Sequence, residues 1–371
     1  MKTLIVVLIW LSLVGYRFFH QFQAGANLGH WENEEILIKG RISSEPLLQG
    51  NSQKFKVSRF DIVTKAYPQY EYGQKVVIVG RLQRRLINKW YSQFSLMYPV
   101  IRLVEADNKE TMSYGLKQQI SRFRQGIEER FNQVLPEPEA SLLAGIILGS
   151  KKGLPQNFYQ ALQKTGTLHI VVASGYNVTI IIATIVAYLA GLIKRPMAIL
   201  IGLAAVGIYT LMAGAEPAIV RAAIMGSLAF GGQILGRKTQ GLRLLIAAIM
   251  IMLLVDPSIV LDIGFQLSVA ATFGLIVLGP RLEPVLGRVW LVGKNLTETT
   301  SAQIMVWPII VFYFGQMSAF SILVNSLILW LVPIIMALGA ILALTGLTPV
   351  AWLAYVPLTL MVRVIEFFGR I

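Results

Sequence analysis

The chain has 371 residues, of which 55% are hydrophobic and only 14% charged, yet it carries a formal net charge of +14. That balance excludes an ordinary soluble globular protein and fits a polytopic membrane protein with a modest soluble part. Cysteine is absent, which excludes disulfides and thiolate chemistry, and the basic excess fits cytoplasmic loops together with a surface that meets a polyanion.

Lys2 precedes an apolar run from Thr3 to about Phe19, with no small-residue cleavage site after it. Residues 1–20 are therefore expected to form a first membrane helix entering from the cytoplasmic side. Residues 31–108 change character. Runs such as "EEILIKGRIS", "QKFKVSRFDIV" and "QKVVIVGRLQRR" alternate apolar and polar positions between turn-forming stretches, the pattern of half-buried antiparallel strands. Four or five short strands in so little chain predict a small OB-like barrel. Residues 34–108 hold twelve Lys or Arg against seven Asp or Glu, interleaved with Phe55, Phe60, Tyr67, Tyr70, Tyr72, Trp90, Tyr91 and Phe94. Two readings stand open: a basic barrel with an aromatic core, or a single-strand binding surface of bases and stacking rings. The second makes Lys54, Lys56, Arg59, Arg81, Arg84 and Arg85 candidate DNA-binding residues.

Residues 112–150 predict amphipathic and interfacial helices. "LKQQISRFRQGIEERFNQVL" suits a helix lying along headgroups, stopped by Pro136 and Pro138, and "EASLLAGIILG" is too short to cross a bilayer. From 165 to 371 the apolar runs lengthen, predicting spans at about 168–193, 197–214, 218–236, 242–260, 264–280, 299–316, 320–345 and 348–369. The fold class expected is thus an α-helical polytopic membrane protein of about nine spans with an inserted all-β OB-like barrel. Alternation from a cytoplasmic N-terminus puts the barrel outside. The connections it makes cytoplasmic hold Lys194 and Arg195; Arg237, Lys238 and Arg243; and Arg281, Arg288 and Lys294. Those it makes external, 215–217, 256–263 and 317–319, hold no Lys or Arg, a positive-inside pattern.

With that topology, polar residues from four segments fall in the outer leaflet: His169, Ser174 and Asn177 in "HIVVASGYN", Glu216 and Arg221, Asp262, Gln266 and Ser268, and Asn325. A charge in hydrocarbon costs about 2.5–3.5 kcal/mol on insertion scales, so these groups are expected to line a wet funnel or to pair together. Gly175 in mid-span weakens the helix between Ser174 and Asn177, as at the broken helices of transporters. Asp262 is expected to pair with Arg221 or to cap the helix after it. Lys151, Lys152 and Lys164, external against the trend, are placed to pass an anionic strand onward.

Ser174 beside a histidine raises an intramembrane serine protease. His169 is the only histidine after residue 30, and five residues along one helix set it roughly 140° away from Ser174. That offset argues against a dyad, which needs direct contact. A single histidine also argues against a metal site. No cofactor is expected.

The motifs together resemble the ComEC-type competence DNA-uptake channel family. "FYQALQKTGTLHIVVASGYNVTII" is similar to its signature through Gly166, His169, Ser174, Gly175 and Asn177, the last standing where the family often has histidine. "EPAIVRAAIMG" matches through Arg221 and Ala222, and "DPSIVLDIGFQLSVAATFGL" through Asp256, Pro257, Asp262, Gly264, Phe265, Gln266 and Ser268. "VNSLILWLVP" matches through Asn325. The resemblance implies an inner-membrane channel that carries one DNA strand into the cytoplasm during natural transformation. His169, Ser174, Gly175, Asn177, Arg221, Asp262, Gln266, Ser268 and Asn325 would lie on its path. Single-stranded DNA, membrane lipids, a DNA receptor, pilus-type uptake proteins, a separate nuclease and a cytoplasmic motor are the implied partners. Many members continue into a metallo-β-lactamase-like nuclease domain; this sequence has no H-x-H-x-D-H cluster, so no enzymatic activity is expected. The alternative function is a transporter or flippase for an anionic small molecule or lipid-linked sugar.

Overall fold

The computed structural model describes residues 10, 12–17, 19, 31–44, 46–49, 52–58, 60–70, 73–86, 92–104, 112–150, 153–171, 174–288, 293–314 and 320–370. The chain divides into two compact units, Met1–Phe123 and Arg124–Ile371. In the N-terminal apolar run, residues 12–17 are helical.

Among its described residues the first unit holds seven strands: β1 (Glu35–Arg41), β2 (Leu47–Gln49), β3 (Ser52–Val57), β4 (Phe60–Lys65), β5 (Lys75–Leu86), β6 (Ser92–Met97) and β7 (Val100–Leu103). They run β1-β5-β6-β4-β3-β2, with β7 also on β5. Every pairing is antiparallel except β4 with β6. The circuit returns on itself at one end. Ile42, just past β1, bridges Val57 of β3, and the Ser43 N–H donates to the Lys56 carbonyl at 2.8 Å. Alternation decides which side chains go inside: Gln53, Phe55 and Val57 are buried while Lys54 and Lys56 face out. The core joins Ile38, Phe55, Ile62, Ile78, Leu82 and Leu96. Buried Gln53 anchors the turn after β4, donating to the Lys65 and Pro68 carbonyls at 2.8 and 2.6 Å.

The second unit is helical. It holds α1 (Met112–Val134) from Arg124 onward, α2 (Glu139–Leu148), α3 (Gln156–Lys164), α4 (Leu168–Val171), α5 (Gly175–Leu189), α6 (Arg195–Met212) and α7 (Pro217–Ile234). It continues with α8 (Gly241–Val255), α9 (Ile263–Val277), α10 (Gly279–Leu286), α11 (Gly293–Phe314), α12 (Ser321–Ile328), α13 (Leu331–Thr345) and α14 (Thr348–Arg370). Among the described residues α6, α7 and α14 are each long and apolar enough to cross a membrane. The pairs α9–α10 and α12–α13, bent by 61° and 49°, raise the number to as many as five. α2, α5 and α8 are apolar but shorter; a 15-residue helix reaches only about 22 Å against a hydrocarbon core of about 30 Å. Two stretches expected as single spans, 168–193 and 320–345, are each built from two helices.

α2 is the hub of this unit. Nine of its ten residues are buried, and it packs on α13 so closely that a Cβ on Gly339 would stand 2.6 Å from Leu143 Cδ1. The amphipathic helix α1 does not simply lie on a surface, since Ile127, Phe131 and Leu135 are buried in the same core. Its cations end other helices. Arg124 donates to the Leu148 carbonyl at 3.2 Å and Arg130 to the Ala343 carbonyl at 2.9 Å. These carbonyls lie in the last turns of α2 and α13, which stop at left-handed Gly149 and Gly346. Lys164 does the same for α14, donating to Gly369 at 3.1 Å. A cation at a C-terminus satisfies an orphan carbonyl and the negative end of the helix dipole together. Lys164 therefore has structural work here, where it had been expected to pass a strand onward.

α9 and α11 touch through a glycine. A Cβ on Gly274 would collide with the Ser301 carbonyl oxygen. Gly274→Ala should force the two helices apart and cost about 1–3 kcal/mol, read as a lower melting temperature of the purified protein in detergent.

Candidate functional site

The segment 165–178 is built as a broken helix. Gly166 takes a positive φ of 67°, the Thr165 and Thr167 hydroxyls lie 2.8 Å apart, and α4 lasts four residues. The chain is extended at Ser174 (φ −111°, ψ 164°), and α5 starts at Gly175. His169 Nδ1 donates to the Gly166 carbonyl at 3.1 Å. Ser174 Oγ donates to Asn177 Oδ1 at 3.2 Å. The serine's proton thus goes to an amide. His169 and Ser174 belong to no single helix, so the offset of roughly 140° expected for a continuous one does not describe them.

Asn177, 1% exposed, ties three helices. Its Nδ2 donates to the Ile146 carbonyl of α2 at 3.1 Å and to Tyr209 Oη of α6 at 3.4 Å. Tyr209 in turn donates to the same carbonyl at 3.4 Å.

Arg221 sits one turn into α7 and is 7% exposed. Its Nε donates to Ser268 Oγ of α9 at 2.7 Å, and Nη1 stands 3.1 Å from Met225 Sδ. The other amino nitrogen, Nη2, lies against the start of α5: a Cβ on Gly175 would be 3.0 Å from it and 3.1 Å from Ala222 Cβ. A side chain at 175 would make the guanidinium give way by a few tenths of an ångström. Among the described residues no carboxylate pairs with Arg221. Asp262 caps α9, its Oδ1 accepting from the Phe265 N–H at 2.8 Å. Gln266 donates to the Val260 carbonyl at 2.8 Å. Of the two alternatives for Asp262, the cap is the one realised.

The electrostatics follow. The first turn of a helix carries roughly +0.5 of an elementary charge, and here it faces a buried guanidinium. Two positive ends meet with a hydroxyl and a thioether as partners, and removing one charge from water costs several kcal/mol. The structure brings Ser174, Gly175, Asn177, Arg221 and Ser268 into one connected constellation. It places Asn325 in another: Ser321 Oγ donates to Gln303 Oε1 at 3.4 Å and Asn325 Nδ2 to Ser321 Oγ at 3.3 Å, leaving the buried Asn325 Oδ1 without a partner. Arg221 and Asn177 bond to protein atoms and, like Asn325, are nearly sealed, so these three do not line an open funnel. Sequence reasoning missed Tyr209, Met225, Gln303 and Ser321, and it could not have found the Ile146 carbonyl, which has no side-chain signal.

On the sheet unit, Lys56, Arg81 and Arg84 are exposed. Lys54 is paired with the buried Asp61 at 3.2 Å. Phe55 and Tyr70 are core residues, their rings 5.5 Å apart, which fits the plainer of the two readings for those rings; Tyr67 is 77% exposed. Arg59, the Arg85 side chain, Tyr72, Trp90, Tyr91, Lys151 and Lys152 lie outside the described residues.

A membrane protein of apolar helices, several of them broken, around a buried guanidinium is the class these features define. The chain belongs to the competence protein family, which it matches over residues 146–371. It is also similar to ComE operon protein 3 of Bacillus subtilis (strain 168), with 25% identity over 231 residues. That match covers 62% of this chain and 29% of the relative's length.

Proposed function

We propose that this protein is an inner-membrane component that passes single-stranded DNA into the cytoplasm during natural transformation. The observation that carries the reading is Arg221: a buried cation at a helix N-terminus, without a carboxylate among the described residues. Such a group is costly to keep and is suited to an anion that arrives and leaves. A strand phosphate meeting Arg221, the start of α5 and Ser268 is that anion. Family membership adds weight, as does the name of the Bacillus relative. Uptake of labelled DNA by cells carrying or lacking the gene tests it, and equal uptake overturns it.

We further infer an OB-like barrel in the sheet unit. Five antiparallel pairings, a parallel β4–β6 pair and the Ile42–Val57 bridge from the end of β1 to β3 support this reading. The cytoplasmic N-terminus, the external barrel and about nine spans belong to the same proposal, supported by the asymmetry of Lys and Arg between connections. Domain limits of 1–20, 31–108, 112–150 and 165–371 follow from it. A DNA receptor, pilus-type uptake proteins, a separate nuclease and a cytoplasmic motor are the partners such a path needs. The exposed Lys56 and Arg84 would contact phosphates. Each charge removal, Lys56→Gln or Arg84→Gln, should lower the slope of log affinity against log salt by about 0.7 for single-stranded DNA on the full chain. Unchanged slopes in both would remove the sheet from the DNA path.

One observation favours a second reading, a transporter or flippase for an anionic small molecule or lipid-linked sugar. The Arg221 constellation has a single guanidinium, with one hydroxyl, Ser268 Oγ, bonded to it, enough for one anionic group. Absence of salt-sensitive strand binding by the full chain would favour it.

A further inference from the structure

The outward face of β1, β5 and β7 has an unusual composition. Register places Leu37, Val79 and Val100 in one row across the three strands, and Lys39, Val77 and Arg102 in the next. Leu37 is 59% and Val100 63% exposed, and Lys39 and Arg102 are exposed beside them. The flanking rows are Glu35 with Arg81 and Arg41 with Lys75. Across these rows, five cations stand against one carboxylate, around an aliphatic centre.

We propose that this face docks on an anionic lipid headgroup surface, with Leu37 and Val100 entering the boundary of the acyl region and Lys39 and Arg102 held at the phosphates. Three observations choose lipid over other occupants. The rows contain no aromatic ring, and the exposed Tyr98, two residues before Val100, is a lone ring beside them, short of the successive platforms that a single-strand surface needs. The centre of the face likewise lacks the Tyr and Trp anchors that enrich the centres of protein interfaces. Aliphatic side chains bordered by Lys and Arg are the composition of an interfacial anchor. The tether also agrees: residues 20–34 join β1 to the apolar N-terminal run, and their extended length keeps the sheet within about 50 Å of that run. The docking face is distinct from Lys56 on β3, and its existence does not depend on what the Arg221 constellation carries.

The test uses the full chain in vesicles. Because the sequence has no cysteine, Val100→Cys can carry the sole environment-sensitive fluorophore, with Tyr67→Cys as the control position. In vesicles of phosphatidylcholine with phosphatidylglycerol, the label at 100 should emit at shorter wavelength and be quenched by acyl-chain quenchers, while the label at 67 stays in water. Lys39→Glu with Arg102→Glu should lower the docked-to-free ratio by roughly 30-fold. A label at 100 that stays water-exposed with and without phosphatidylglycerol overturns the proposal. So does a shift that survives the double charge reversal, or one that occurs only when single-stranded DNA is added.

Discussion

Arg221→Met should cut transformation by on the order of 100-fold or more, while the purified protein melts no lower than wild type. The two halves have one cause. Arg221 is 7% exposed, its polar partners are Ser268 Oγ and Met225 Sδ, and Nη2 lies against the first residue of α5. Replacing a buried charge that lacks an opposite charge with an apolar chain of similar volume is often neutral or stabilising. Losing the proposed contact with a desolvated phosphate would cost about 2–5 kcal/mol, and each 1.4 kcal/mol is about tenfold in an equilibrium. Arg221→Lys should fall between, since it keeps the charge but loses the planar donor set that reaches Ser268 and Gly175 at once. Uptake efficiency and melting temperature in detergent are the two measurements. Wild-type uptake in Arg221→Met removes the guanidinium from the transport path.

Asn177→Leu should behave in the opposite way, lowering stability and abundance while uptake per surviving molecule stays close to normal. Asn177 is 1% exposed and donates to the Ile146 carbonyl and Tyr209, while accepting from Ser174. Leucine leaves the Ser174 hydroxyl without its acceptor and the carbonyl of α2 with only the long bond from Tyr209. Each buried polar group left short costs about 1–3 kcal/mol. The residue holds α2, α5 and α6 together, so the loss is expected in melting temperature and in the amount of folded protein. Normalising transformation to protein level separates the two roles. A per-molecule loss as large as that of Arg221→Met would place Asn177 on the path itself.

Much of this was legible in the residues. Alternating Lys54, Phe55 and Lys56 implies that if the lysines face water the ring faces in, and Phe55 is indeed core. Asp262 before Gly264 and Phe265 reads as a cap and is one. Gly175 beside Ser174 marked a weak point, and the helix breaks there. The extra strands were hidden by local chemistry. "SLMYPVIRLVE" looks like one strand, but Tyr98 takes a φ of 50° next to Pro99, splitting β6 from β7. The bend after Ile328 falls inside an unbroken apolar run and leaves no periodic trace. Burial of Arg221 was equally hidden, because a lone arginine one turn into a helix is as compatible with reaching outward to water as with being enclosed. Its enclosure depends on partners from distant segments, Gly175 and Ser268.

The clasps from Arg124, Arg130 and Lys164 onto the ends of α2, α13 and α14 each join a cation to a backbone carbonyl. Mobile ions screen exposed charge pairs far more strongly than partly enclosed charge–dipole contacts. Concentrated electrolyte should therefore release the strand proposed for the basic sheet without loosening the helical unit. An ionic-strength titration of the intact protein then reports ligand release alone, uncontaminated by partial melting.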